Sequence, residues 1–408
     1  MPVTFAALMC HAPIVLPDVA GAEAPRCART TRAMREIAAR VARARPDRVV
    51  VVSPHTPRLR DRVALRPGPT RGDLARFRAP HLAVDLPGDP LLDALGLPSA
   101  PLQPLDHGAM VPLVFLAEAG WRGPTAVLAL PWDEGDERAA GRAIASLPGR
   151  TALIASGDMS HRLTPDAPAG FHPDGARFDA AFVDALRRDD WATAARGPHR
   201  ERAAEDVVAS AVVAMEAVGR PLHAEVLVYE GPWGVGYAEA VLYDPDPPSW
   251  AVARRAVRAR VLGEAPPRAV GGPPAGVFVT LRAGGELRGC IGHITPTRAS
   301  LLEEVAAVAP LAAVEDPRFP PVRADELDGL DVEVSVLEPP EPCAADQLDP
   351  RVWGVIVTAG GRRGLLLPDL EGVDSVEQQL AIARRKAGVP PGAAVALERF
   401  RVRKEAPP

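Results

Sequence analysis

Over the first 245 positions, apolar residues come in short unbroken runs separated by longer stretches with a helical period. The runs VTFAALM (3–9), RVVVVS (48–53), TAVLAL (125–130), TALIAS (151–156), EVLVY (225–229) and VGYAEAVLY (235–243) predict strands. Between them ARTTRAMREIAARVARA (28–44), AMVPLVFLAEAG (109–120), DAAFVDALRRDD (179–190) and AAEDVVASAVVAMEAVG (203–219) predict helices. A strand that is apolar at every position needs cover on both faces. The pattern therefore predicts an α/β protein whose N-terminal part is a layered α/β domain around a central sheet.

The rhythm breaks at YDPDPPSW (243–250) and again at EAPPRAVGGPPAG (264–276). We place the domain boundary at the first break, giving an N-terminal domain over 1–248 and a second over 252–408. The second domain has a different texture. GVFVTLRAGGELRGCIG reads as two strands joined by an Ala-Gly-Gly turn, followed by the helix ASLLEEVAAVAPLAAVE and the alternating strand DVEVSVLE. Another hairpin, GVIVTAGGRRGLLLP, and a late helix, SVEQQLAIARRKAG, complete a smaller α+β domain. A length of 408 residues also favours two cores over one.

Composition narrows the function classes. Charged residues make up 24% and apolar residues 47%, so the chain reads as globular rather than disordered. The formal net charge of −5 and the lack of any block of like charge argue against nucleic-acid binding, which needs clustered Lys and Arg. Four scattered cysteines, Cys10, Cys27, Cys290 and Cys343, form no CxxC pair and fit a reducing compartment. The start MPVTFAALMCHAP lacks a basic, signal-like lead, and no apolar run reaches the roughly 20 residues of a membrane span. The expectation is a cytoplasmic protein with no membrane partner.

The candidate chemistry lies just beyond the strand ends. His11 comes after the first strand in CHAP, His55 after the second in SPHTP, His161 after the run TALIAS in GDMSH, and Glu230 after the run EVLVY in YEGPWG. Open α/β sheets bind ligands beyond the carboxyl ends of their strands, so these groups are placed to share one pocket. Two imidazoles and one carboxylate on one face of a metal form a facial triad that leaves positions open for substrate and dioxygen. Spacing alone leaves iron and zinc both open.

CHAP, SPHTP, LDHGAMVPL, SGDMSH and GYAEAVLY together resemble the signature positions of the class III extradiol ring-cleavage dioxygenases (LigB type), in particular the branch related to Memo proteins. The resemblance covers about residues 3–245. It implies Fe(II) held by His11 and His55, His161 as acid/base, and His107 assisting substrate binding, for ring cleavage of a catechol-like or related small aromatic. For the third ligand Glu230 is the first choice and Glu239 the second; Memo-type relatives can carry a cysteine in that region, and this chain has none there.

In the second domain GVFVTL, LRGCIG, EDPRFPPV, LDVEVSVLEPPE and GLLLP resemble the AMMECR1 family over about residues 270–405. Cys290 within LRGCIG reads either as a buried strand residue or as a nucleophile or ligand near Arg288 and His293. Memo-like and AMMECR1-like domains also resemble members of a three-part system that includes a radical SAM protein. The resemblance thus implies a radical SAM partner and, as an alternative function, a non-catalytic metal-binding and interaction protein serving that partner. This chain has no CxxxCxxC and is not itself the radical SAM member.

Overall fold

The computed structural model describes residues 3–90, 95–133 and 135–408. The chain divides into two compact units, one ending at Asp246 and the other spanning Pro247–Pro407.

The first unit contains strands β1 (Val3–Met9), β2 (Arg48–Ser53), β3 (Ala64–Leu65), β4 (Thr70–Leu74), β5 (Ala79–Leu86), β6 (Thr125–Ala129), β7 (Thr151–Ser156), β8 (Glu225–Glu230) and β9 (Tyr237–Tyr243). Its helices are α1 (Pro17–Ala20), α2 (Ala28–Ala44), α3 (His107–Glu118), α4 (Glu137–Ala145), α5 (Pro173–Arg187), α6 (Trp191–Arg196) and α7 (Val208–Val218). Among the described residues these strands form a seven-stranded sheet in the order β3-β6-β2-β7-β1-β9-β8, with β4 and β5 pairing separately. The centre is parallel, with β2 bonded to β6 and β7, and β7 bonded to β1. Antiparallel pairing of β9 with both β1 and β8 turns β8 back to the direction of β1.

The unbroken apolar runs are explained by cover on both faces. Val50 and Val52 of β2, with Ala6 and Leu8 of β1, pack into a core that includes α4, α5 and α7. Their neighbours Val49, Val51, Phe5, Ala7 and Met9 point the other way, into a core that includes α2 and α3. Helix α2 carries its own buried charge: Arg40 is 2% exposed and donates to Asp244 at 2.8 and 3.0 Å and to Glu225 at 3.1 Å. The β4–β5 hairpin has no counterpart among the sequence-predicted elements. Both of its strands show mostly one buried face, a weaker signal than a run of valines.

The second unit contains α8 (Ser249–Leu262), β10 (Val277–Ala283), β11 (Glu286–His293), α9 (Leu301–Val314), β12 (Leu330–Leu337), β13 (Glu341–Pro342), β14 (Gly354–Ala359), β15 (Arg362–Leu366), α10 (Val376–Lys386), β16 (Ala396–Phe400) and β17 (Val402–Glu405). It has two antiparallel sheets, ordered β11-β10-β12-β17 and β13-β16-β14-β15. Helices α8 and α9 bury Val277, Val279 and Leu281 of the first sheet. Both sequence-predicted hairpins are present, and each turns on a glycine pair with positive φ: 57° and 87° at Gly284-Gly285, 51° and 80° at Gly360-Gly361. The four cysteines are free. No helix among the described residues is long and apolar enough to cross a membrane.

Candidate metal centre

Three histidines from distant parts of the chain meet at the carboxyl end of the central strands. His11 lies two residues past β1, His55 two residues past β2, and His107 opens α3. One ring nitrogen of each falls within 4.8 Å of the others. His11 and His55 meet edge to face with Nε2 atoms 3.1 Å apart, while His107 stacks on His55 at 4.4 Å between ring centroids. Phe77 stands 5.7 Å from the His107 ring and adds an apolar wall. His11 is buried, whereas the His55 side chain is 35% exposed, which opens the cluster to small molecules on one side.

The acidic group facing this cluster is Asp206, just before α7. Its Oδ2 lies 3.2 Å from His55 Nε2 and 3.5 Å from His11 Nε2. Its Oδ1 accepts the Asp158 amide at 2.7 Å, which fixes the carboxylate. Asp158 in turn accepts the His11 amide at 2.9 Å. Glu230, the expected third ligand, is not part of the cluster. Its carboxylate accepts the amide and hydroxyl of Thr30 at 3.1 and 2.6 Å, in the first turn of α2. The reason is sheet order: β8 ends at the same edge as β1 but is two strands away, roughly 10 Å at the usual interstrand spacing. Glu239, the second choice, is fully buried and accepts the Cys10 amide at 3.1 Å.

Asp206 escapes sequence reasoning because it precedes a helix instead of following a strand. The available signal is the acidic pair Glu205-Asp206 at the start of an apolar helix. Glu205 performs the ordinary task at such a position, accepting the amides of Val207 and Val208 at 2.8 and 2.9 Å. That leaves the second acid free for other work.

The donor set fits a divalent cation. Ser156 Oγ donates its single proton to the Gly108 carbonyl at 2.5 Å, so towards His11 Nδ1, 3.0 Å away, it acts as acceptor. His11 Nδ1 therefore carries the hydrogen, and the neutral ring presents a lone pair at Nε2, towards His55 and Asp206. This is the arrangement in which a backbone or hydroxyl partner sets the tautomer of a metal-binding histidine. A side chain at Gly108 would obstruct it: a Cβ there would lie 2.6 Å from Ser53 Oγ, 2.8 Å from Asp106 Oδ1 and 3.2 Å from His55 Cδ2. Asp106 caps α3 through the Ala109 amide and also accepts Ser53 and Thr56 hydroxyls, so it ties the His55 loop to the His107 helix.

The electrostatics follow from burial and opposing charge. Burial alone lowers the pKa of His11, but Asp158 and Asp206 outweigh it and hold it at about 9. His107 moves the other way, down to about 4, through burial and then the charges of His11 and His55. Burial opposes the charge on Asp206, yet His11 and His55 keep its pKa well below the usual carboxylate range. Burial, with the charges of Asp158 and Glu230 behind it, outweighs the hydrogen bonds from Cys10 and pushes Glu239 up to about 8. His161 lies five residues past β7, and its Nδ1 sits 2.7 Å from the Ala204 carbonyl. That carbonyl only accepts, so the neutral ring holds its hydrogen at Nδ1 and leaves Nε2 as the basic atom.

In the second unit, Cys290 pairs across strands with Thr280, whose hydroxyl donates to its Sγ at 3.4 Å. Arg288 spends its donors on Glu326 and the Pro320 carbonyl, and His293 Nδ1 lies 2.6 Å from Glu304. The two neighbours expected to activate Cys290 are thus engaged elsewhere. The LRGCIG glycines are there for packing: a Cβ at Gly289 would lie 2.1 Å from the Ala312 carbonyl of α9.

Sequence comparisons with known proteins agree with this architecture. Residues 5–239 match the family described as the catalytic LigB subunit of aromatic ring-opening dioxygenase, and residues 250–404 match AMMECR1. A protein of Clostridium acetobutylicum is 31% identical over 465 residues, spanning 97% of each chain. A protein of Thermotoga maritima is 58% identical over 118 residues, covering 28% of this chain and 68% of that one. The crystal structure of an uncharacterized protein from Pyrococcus horikoshii is 36% identical, with a TM-score of 0.36, over 39% of this chain and 91% of that chain. The chain belongs to the LigB family of aromatic ring-opening dioxygenase subunits through residues 5–239, and carries an AMMECR1 domain at residues 250–404.

Proposed function

We propose that the first unit is a non-haem Fe(II)-dependent oxygenase of the extradiol type, acting on a catechol-like small aromatic. The observation that carries this reading is the convergence of His11 Nε2, His55 Nε2 and an Asp206 oxygen within 3.5 Å of one another at an open strand edge. These three residues would hold the metal. Iron(II), when bound, supplies a Lewis acid and a redox partner through which a diol and dioxygen can react.

The protein's own groups have separable tasks. Ser156 fixes the His11 tautomer, and Asp158 anchors both the His11 backbone and Asp206. His107 is neutral at pH 7, given its pKa of about 4, and can donate or accept a hydrogen bond to a substrate oxygen without adding charge. With Phe77 it forms the wall against which a flat ring can lie. His161, its Nδ1 committed to Ala204, takes a proton at Nε2 and can return it later, as a general acid/base must.

The test is metal analysis of protein purified without oxygen, paired with O2 consumption on a panel of catechols. We expect iron near one equivalent, its loss in His11→Ala, and oxygen uptake with at least one diol. Protein that takes up no iron, or a His11→Ala variant with unchanged iron, ends this reading. A second reading is favoured by the joining of LigB and AMMECR1 parts in one chain, an architecture matched over 97% of the Clostridium relative. In it the first unit is a non-catalytic metal-binding module that acts with a radical SAM partner. It predicts bound metal, no oxygen uptake with any diol, and co-purification with that partner.

A further inference from the structure

One buried acid of the first unit takes no part in the metal centre. Asp179 lies in α5, is 0% exposed, and pairs with no Lys, Arg or His among the described residues. Its Oδ2 accepts the Tyr229 hydroxyl of β8 at 2.7 Å, and its Oδ1 accepts the Ser160 amide at 2.9 Å. Burial pushes its pKa up to about 6 in spite of both hydrogen bonds. A carboxylate without a cation is costly on a helix whose Phe178 and Phe182 fill the core. Costs of this kind concentrate where a group has a task.

The surroundings of Asp179 are shaped for its contact with Ser160, the residue before His161. A Cβ at Gly236 would lie 2.2 Å from Asp179 Oδ2, and one at Gly175 would lie 2.5 Å from Ser160 Oγ, so two glycines clear the space. Every polar group of Ser160 is committed. Its amide goes to Asp179, its carbonyl accepts the Gly236 amide at 2.9 Å, and its Oγ donates to the Ala203 carbonyl at 2.8 Å while accepting the Arg162 amide at 3.0 Å. The next residue continues the pattern: the His161 amide reaches the Ala203 and Ala204 carbonyls at 3.2 and 3.3 Å, and its Nδ1 lies 2.7 Å from Ala204 oxygen. Ala204 holds a left-handed φ of 53°, a conformation kept in a non-glycine residue only where contacts enforce it. At the other end of the same two segments, the Asp158 amide donates to Asp206 Oδ1 at 2.7 Å and the Asp206 amide to the Asp158 carbonyl at 3.2 Å. Residues 158–161 and 203–206 are thus zipped together, one carrying His161 and the other the candidate ligand Asp206.

We propose that Asp179, held by Tyr229, is a positioning residue for His161: through the Ser160 amide it fixes the backbone that brings Nδ1 to the Ala204 carbonyl and keeps Nε2 as the basic atom. This rests on the oxygenase reading for the proton transfer that Nε2 would perform, but not for the geometry. Released from Ser160, the imidazole loses its fixed partner and exchanges its hydrogen between the two nitrogens. An Asn at 179 still offers a carbonyl to the Ser160 amide, whereas an Ala offers nothing.

The test is nitrogen NMR of the full-length protein labelled with 15N-histidine, at pH 8, where long-range proton–nitrogen correlations tell which ring nitrogen carries the hydrogen. The His161 signals are those missing from His161→Gln. In the wild type they should show a hydrogen on Nδ1 and a bare Nε2. In Asp179→Ala they should move to a mixture in which Nε2 carries the hydrogen much of the time, with His81 and His293 unchanged, and Asp179→Asn should restore most of the wild-type pattern. A merely structural role would lower the melting temperature and leave the His161 signals of the folded protein where they were, which overturns the proposal. Asp179→Asn behaving like Asp179→Ala overturns the assignment to the Ser160 contact. Should Asp179→Ala fail to fold, Tyr229→Phe carries the comparison: a smaller shift in the same direction supports the proposal, and none overturns it. Where a diol is consumed, Asp179→Ala should also lower kcat by about tenfold or more with KM within about twofold. The nitrogen signals need neither metal nor turnover, so a shift in Asp179→Ala without oxygen uptake in the wild type would sink the oxygenase reading and leave this one standing.

Discussion

Metal uptake by this protein should release a proton, and the structure sets how many and over what pH range. Without metal, His11 holds its Nδ1 hydrogen on Ser156 and, with a pKa of about 9, a second hydrogen at Nε2. That second hydrogen occupies the space between His11, His55 and Asp206 that the metal would fill. His107, at about 4, has no extra proton to give near neutrality. Binding at pH 7 should therefore displace about one proton from His11, and affinity should rise about tenfold per pH unit up to pH 9. From pH 9 down to pH 7 this amounts to about two powers of ten, or about 2.7 kcal/mol of competition. The sign for folding runs the same way. His11 is raised above its unfolded value of 6.5, so its contribution to the stability of metal-free protein is full below pH 6.5 and is lost as pH climbs through 9. The assay is calorimetry of Fe(II) or Zn(II) binding at fixed pH in buffers of differing ionisation enthalpy, where the buffer dependence counts protons. A count of zero at pH 7, or an affinity flat between pH 6 and 8, would refute the assignment of that proton to His11.

Three further outcomes follow from particular contacts. Gly108→Ala should lower metal affinity and cost about 1–3 kcal/mol of stability, because the new methyl must displace Ser53, Asp106 or the His55 ring; equal metal content and melting temperature would contradict this. Glu230→Gln should leave metal content unchanged and cost about 1 kcal/mol in thermal unfolding, since its partner is the first turn of α2; loss of metal would show that Glu230 reaches the site after all. In wild-type protein Glu239 is raised from 4.5 to about 8, so its contribution is present below pH 4.5 and is lost as pH rises through 8. Glu239→Gln should remove that component, giving melting temperatures that fall less between pH 5 and 8 than those of the wild type.

How much of the fold and the site is legible in the sequence depends on whether one stretch can speak for itself. The valines of β2 are buried whatever their partners, so a continuous apolar run marks the strand to the residue, and the 3.6-residue period of 28–44 does the same for α2. Gly-Gly pairs between alternating runs announce both hairpins of the second unit, since glycine takes two successive positive φ angles at no steric cost. The strand-end rule finds His11 and His55 because β1 and β2 flank β7 at the centre of the sheet. The same rule fails for Glu230, which obeys it locally but stands at the sheet's edge. Strand order is a property of the whole chain, fixed by which crossovers pack well, and no window around residue 230 contains it.

Asp206 shows the other limit. It does not follow a strand, and its carboxylate is fixed by a partner from another loop, the Asp158 amide. Loops carry chemistry because a rigid sheet positions their ends while leaving their middles free to meet. In this chain the loops after β2, β6 and β7, together with the segments before α3 and α7, hold one another through Ser53 and Asp106, Ser156 and the Gly108 carbonyl, Asp158 and Asp206, and the Trp132 amide. The consequence is that the candidate ligands His11, His55 and Asp206 are tied to the ends of β1 and β2 and the start of α7, and their meeting is set by how those elements pack and by no single stretch of sequence.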